Sequence, residues 1–252
     1  MRASGRNPAP RTRLAALAVI AAALIAGISC APIAGPRDPS DPWERMNRGT
    51  FRFNEGLDRW VVAPVATGMD FVIPDPVERS IGRFFDNSRI PIHFGNALLQ
   101  FKPVSAVEDL ARFLVNSTIG LAGFFDPATH IGLEAHQEDF GQTLGFWGVP
   151  AYPYLVLPIF GPSSPRDAVG LAADTFSTVY PWFMPIYASF SIGAGRLLNL
   201  RSLNLDLIAA EHEAALDYYV FLRNAYLSYR ENQVRDQKED ETDDEDLYYI
   251  DD

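Results

Sequence analysis

Residues 140–165, FGQTLGFWGVPAYPYLVLPIFGPSSP, carry no formally charged side chain. A helix crosses a bilayer with ~20 consecutive apolar residues, so the run is long enough to span. It cannot fold as one helix. Pro150, Pro153, Pro158 and Pro162 each remove a backbone donor and clash with the preceding turn. A second uncharged run, residues 175–195, is broken by Pro181 and Pro185. The chain therefore carries membrane-length uncharged segments that are built not to span.

Its 252 residues and 48% hydrophobic content fit one large domain or two small ones. The first residues read as a targeting segment. Arg2, Arg6, Arg11 and Arg13 form a basic region, and residues 14–28 an apolar stretch too short for a span. Cys30 follows directly and is the only cysteine, so no internal disulfide can form. Gly27-Ile28-Ser29-Cys30 resembles a lipobox, with Gly27 where Leu is usual. Residues 1–29 are thus expected to be a lipoprotein signal peptide and Cys30 the acylated anchor. Two or three acyl chains would hold stably at ~0.8 kcal/mol per buried methylene. Ala31 stands where an Asp would resemble an inner-membrane retention signal, which favours the outer membrane.

Residues 30–40 form a Pro-rich tether without helical period. The end of the chain, from Glu231, holds eleven acidic and two basic side chains. Residues 232–252 read as an acidic, disordered, solvated tail. That balance argues against nucleic acid and against a polybasic clamp on lipid surfaces.

Between tether and tail, residues 41–231 read as mostly α. Asp41-Pro42-Trp43-Glu44 and Asp75-Pro76-Val77-Glu78 each place a carboxylate at an N-cap and Pro at the first helical position. Ser105-Ala106-Val107-Glu108 spells a capping box. Apolar residues recur at helical spacing: Val77, Ile81, Phe84 and Phe85; then Ile90, Phe94, Ala97, Leu98 and Phe101; then Val107, Leu110, Phe113 and Leu114. Asn116-Ser117-Thr118 spells a glycosylation sequon and reads as a kink or cap. Ser164-Pro165-Arg166-Asp167 opens a further helix, residues 186–200 another, and residues 206–231 the longest. Strand alternation is confined to residues 154–160.

No catalytic constellation is present. His93, His130, His136 and His212 do not spell a zinc motif, and one cysteine cannot complete a metal site. Residues 161–165, GPSSP, do not match a nucleophile elbow. His136-Gln137-Glu138-Asp139 reads as a solvated turn, and Glu211-His212-Glu213 as an exposed helix face. The reading is a non-enzyme with no cofactor and no metal. Patterning alone leaves two homes for the helices, a soluble core or a membrane interface. The anchor, the uncharged runs and the aromatic residues favour the membrane.

Several segments carry a family resemblance. They are Asp41-Pro42-Trp43-Glu44-Arg45-Met46-Asn47-Arg48 with residues 51–54, Pro64-Val65-Ala66, and residues 112–120 running to Gly123-Phe124-Phe125-Asp126. Phe140-Gly141-Gln142-Thr143-Leu144-Gly145, residues 157–164 and Arg166-Asp167 follow in order. The chain resembles the MlaA (VacJ) family of outer-membrane lipoproteins over roughly residues 41–230. The resemblance implies a compact, ring-like bundle of short amphipathic helices in the inner leaflet, with an amphipathic pore and no full span. It implies removal of phospholipids mislocalised in the outer leaflet, their transfer to a soluble periplasmic carrier, association with trimeric porins, and no nucleotide hydrolysis. A porin-associated structural lipoprotein that moves no lipid is the rival reading, and a lipase a third.

On that picture the Gly/Pro-rich centre lines a lipid path, since irregular backbone at membrane depth must border a cavity or pack on protein. Gln142, Thr143, Gly145, Ser163 and Ser164 are the path candidates. Arg166 is a possible phosphate contact or the partner of Asp167. Gly141, Gly145 and Gly148 would allow close backbone approach.

Overall fold

Two asparagines seven residues apart on the first helix fasten the chain's beginning to its middle. The computed structural model describes residues 38–178 and 186–235. The leader, Cys30, the tether up to residue 37 and the acidic tail from residue 236 lie outside the described residues. Apart from Asp38, everything described belongs to one unit, Pro39–Asp252.

Helix α1 spans Glu44–Leu57. Asn47 donates Nδ2 to the Tyr154 carbonyl at 3.0 Å and accepts from the Val156 N–H at 3.0 Å. Asn54 repeats the clamp, donating to the Leu157 carbonyl at 2.9 Å and accepting from the Ile159 N–H at 2.8 Å. Each amide thus stands in for a neighbouring strand. The segment so held is a two-stranded antiparallel hairpin, β1 Leu155–Leu157 and β2 Gly161–Ser163. The strand expected within residues 154–160 is therefore present.

A π-helical turn, Asp58–Val62, leads from α1 into α2, Ala63–Val72. Pro64 sits in the first turn of α2 without a donor to give, and a wider turn before it accommodates that loss. Helix α3 spans Asp75–Leu99 and is the longest described, so the two apolar groups around residues 77–85 and 90–101 belong to one helix. Pro91 lies inside it and denies the Asn87 carbonyl its intrahelical donor. Helix α4 spans Pro103–Thr118 and packs along α3; a single turn, α5, spans Pro127–His130.

The uncharged run of residues 140–165 folds into helix α6 (Phe140–Phe146), the hairpin, and the cap of α7 (Pro165–Ser177). Ser164 caps α7 by accepting from the Asp167 N–H at 3.1 Å. Helices α6 and α7 lie against each other. Helix α8 (Ile186–Leu203) packs on α2 and α3. The expected helix over residues 206–231 is two, α9 (Leu205–Ala214) and α10 (Tyr218–Arg235), separated at residues 215–217. Helix α10 packs on α6 and β2 and runs four residues past the expected start of the tail. Among the described residues no helix is long and apolar enough to cross a membrane.

Three expected start signals are not laid out as spelled, and Asp75, expected as an N-cap, is the first residue of α3, whose cap position is Pro74. Asp41 is buried and accepts from Asn47 Nδ2 at 2.7 Å and from the Tyr219 hydroxyl. Glu78 is buried inside α3 and accepts from Ser202 Oγ at 2.8 Å. Ser105 lies within the first turn of α4, whose cap position is Lys102, while Glu108 meets His136. Tertiary partners took the carboxylates that local spelling assigned to helix ends.

Candidate functional site

Helix α4 is inside out. Ala106, Asp109, Arg112 and Asn116, spaced three, three and four apart, form its buried face. Val104, Val107, Leu110 and Leu114 are exposed. A helix on a water-soluble core shows the opposite arrangement. The inversion is general: among the described residues nine buried side chains are hydrophobic and twenty are polar or charged. Large apolar side chains stand outside, including Trp60 at 77% exposure, Phe71 at 90% and Phe101 at 81%. So much exposed apolar surface belongs against lipid or a partner rather than water.

The inward polar faces surround a cavity of about 400 Å³. Helix α3 contributes Arg83, Asp86, Asn87, Arg89, Ile90 and His93. Helix α4 adds Asp109, Arg112 and Asn116; α8 adds Arg196; α10 adds Tyr229, Arg230 and Gln233. Gly123, Asp126, Ala135, His136, Gln137 and Asp139 close it from the connecting segments. Ile90 is the largest aliphatic group in the wall, and most of the other lining residues are polar or charged.

Two ion-pair clusters fix the wall. Arg112 grips both oxygens of Asp126 at 3.1 and 3.0 Å. Asn116 donates to the same carboxylate at 2.9 Å and accepts from the Ala128 N–H at 3.1 Å, so the sequon asparagine, inside α4, satisfies a free donor of α5, whose N-cap is Asp126. Burial pushes the Asp126 pKa up, but bonds from Thr129 and Asn116 and the charge of Arg112 outweigh it and hold it low. Across the cavity Arg230 holds Asp139 at 2.6 and 3.0 Å and Asp167 at 3.1 and 2.8 Å. Burial again opposes, and the arginines win: Asp139 is held low, and Asp167, also bonded to Arg166 and Tyr226, falls to about 2. Asp109 goes the other way. Burial raises it to about 6 despite nearby His136, and its Oδ2 is buried without a hydrogen-bond partner.

The expected solvated turn at residues 136–139 is instead part of this site. Glu138 is buried and bonded to Gln100 at 2.8 Å and Lys102 at 2.8 Å. Asp139 caps α6 by accepting from the Gln142 N–H at 2.8 Å, and His136 Nε2 meets Glu108 at 2.7 Å. The four residues are irregular backbone as expected, but Glu138 is buried rather than solvated, on partners that lie tens of positions away.

None of the six lipid-path candidates borders the cavity. Gln142 is buried and donates to the Gln137 carbonyl at 2.7 Å, directly behind a lining residue. Thr143, fully buried, donates to Asn96 at 3.0 Å and lies 3.2 Å from Gln100 Nε2. Ser164 caps α7, Ser163 is buried beside it, and Arg166 pairs with Asp167 at 2.8 Å. A Cβ on Gly145 would lie 2.6 Å from Val234 and 2.7 Å from Arg166 Nη1. The lining residues sequence reasoning missed had one visible signal, the polar stripe at helical spacing through Asp109, Arg112 and Asn116.

Among the described residues, no group of three or more His, Cys, Asp or Glu is placed to hold a metal ion. A family model, MlaA lipoprotein, matches residues 39–233. The intermembrane phospholipid transport system lipoprotein MlaA of Haemophilus influenzae is 32% identical over 206 residues, 79% of this chain and 81% of that protein. Its Escherichia coli counterpart is 32% identical over 193 residues, 74% and 75% of the two chains. An uncharacterised protein of Rickettsia typhi is 30% identical over 197 residues, 77% and 78%. A solved structure concerned with the structural basis for maintenance of bacterial outer membrane lipid asymmetry aligns with a TM-score of 0.69 and 29% identity. It covers 77% of this chain and 99% of that one.

Proposed function

Because the chain belongs to the MlaA lipoprotein family, we propose that it withdraws phospholipid mislocalised in the outer leaflet of the outer membrane and passes it to a soluble periplasmic carrier, preserving lipid asymmetry. The inverted polarity carries this reading. Apolar side chains outside and a charged cavity inside suit a protein seated in lipid that admits a polar headgroup. The cavity volume lies in the range of small-ligand sites, ~300–1,000 Å³. Acyl chains remain in apolar surroundings while the headgroup passes through the polar interior, so no bond is made or broken.

Acylated Cys30 tethers the chain to the membrane's periplasmic side, and the apolar exterior offers a trimeric porin its contact. Gln142, Thr143, Gly145, Ser163, Ser164 and Arg166 brace the wall of the path from behind. For Arg166 to reach a phosphate it would have to leave Asp167.

The test is surface labelling of phosphatidylethanolamine in cells lacking the gene. Labelling should rise, return to normal with the wild-type chain, and stay raised with Cys30→Ser. Porin association with no change in surface phospholipid would instead favour the structural lipoprotein.

A further inference from the structure

Five arginines line the cavity, and the protein neutralises them unequally. Arg112 and Arg230 are taken by Asp126 and by Asp139 with Asp167. Arg196, on α8, reaches only Asp86, at 3.6 Å, and Asp86 is 68% exposed. The Arg196 Nε is buried and has no hydrogen-bond partner. The Arg89 side chain, on α3, makes no ion pair or hydrogen bond among the described residues. Burial lowers the Arg196 pKa, and the Arg89 charge lowers it further, so the two guanidinium groups are near enough to repel. Bringing like charges together at a partly buried wall is unfavourable unless an anion completes the set.

We propose that Arg89 and Arg196 form an anion subsite in the cavity that takes the phosphate group of a phospholipid. Guanidinium groups suit this ligand because their planar forks bind phosphate oxygens in pairs. The subsite lies where α3 and α8 pack together, on a cavity wall that does not include Arg166. It rests on the reading that the cavity admits phospholipid, and it assigns the group that the cavity recognises. Free inorganic phosphate offers the same chemistry.

The experiment uses the purified full-length lipoprotein in detergent. Binding of dihexanoyl phosphatidylethanolamine, dihexanoylglycerol and inorganic phosphate is measured by calorimetry for wild type, Arg89→Gln, Arg196→Gln and the double variant. Thermal unfolding is recorded alongside. Phospholipid affinity should fall about tenfold in each single variant and further in the double, as expected for loss of charge-assisted hydrogen bonds. Dihexanoylglycerol, which lacks the phosphate, should bind all four alike. Relief of the repulsion should leave Tm unchanged or raise it; Arg89→Lys and Arg196→Lys should restore part of the affinity. Phosphate that competes with the lipid supports a headgroup subsite. Phosphate that binds while the lipid fails to displace it overturns the lipid assignment. Equal phospholipid binding by wild type and the double variant overturns the subsite and leaves the transport reading standing. No phospholipid binding by wild type overturns both.

Discussion

Arg230 on α10 closes on Asp139 through two hydrogen bonds, 2.6 and 3.0 Å, joining positions 91 residues apart. The same guanidinium holds Asp167 at the start of α7, so one side chain ties three helices at the cavity's edge. Removing one partner of a buried pair typically costs 3–5 kcal/mol, because the other charge is left uncompensated. Arg230→Ala should therefore lower the stability of the detergent-solubilised protein by about that much in denaturant titration, with Asp167→Ala less damaging. A loss below about 1 kcal/mol would show that the cluster is decoration on a fold held elsewhere.

Asp109 should make the protein less stable as pH rises. Its folded pKa, about 6, exceeds the ordinary carboxylate value near 4. A raised folded pKa means the native state binds the proton more tightly, so its contribution is full below pH 4 and is lost as pH climbs through 6. Asp139 and Asp167 act oppositely: held low, they stabilise above pH 4, and that stability is lost as pH falls toward 2. Asp109→Asn should raise Tm at pH 7, by a stability gain on the order of 1–3 kcal/mol, and leave it nearly unchanged at pH 4. Equal shifts at both pH values would remove the titration from the explanation.

Gly170 on α7 faces Gly141 on α6 so closely that a Cβ at residue 170 would sit 2.4 Å from the Gly141 backbone nitrogen. Backbone cannot step aside as a side chain can, so Gly170→Ala must part the helices. A drop in Tm of several degrees is expected, whereas Gly193→Ala, with open space around the added atom, should be nearly silent.

How much of this was written locally differs from element to element. The cap of α7 was legible because Ser164, Pro165 and Asp167 settle it among themselves. Asp41 was expected to cap a helix and Glu78 to complete a helix start, yet both are buried on distant partners, because Tyr219 and Ser202 approach from 178 and 124 residues away. The apolar stripe of α4 was visible, yet stripes do not say which side is inside. The membrane-length runs hinted at the answer, and burial of Arg112 and Asn116 supplied it. His136 and Asp139 were passed over since no nearby residue announces their partners. The anchor at Cys30 and the tail beyond residue 235 stay with the sequence reading alone.

The exterior aromatic residues should meet acyl chains. With the protein in vesicles containing phospholipids brominated along their acyl chains, fluorescence of Trp60 in a variant whose other tryptophans are Phe should be quenched by half or more. Trp60 is 77% exposed, so protein would not shield it from lipid. Full fluorescence with vesicle-bound protein would place this surface in water or against protein.

The central claim is that phospholipid headgroups pass through the polar cavity. Its most direct test is a photoreactive benzoyl-phenylalanine at Ala135 or Gln233, both on the cavity wall, in the full-length lipoprotein in living cells. Irradiation followed by mass analysis should recover covalent phospholipid adducts at these positions, and fewer when Arg89 and Arg196 are also changed to Gln. Absence of any adduct at either position, in cells whose outer-leaflet phospholipid is kept low by that same labelled protein, would contradict the account.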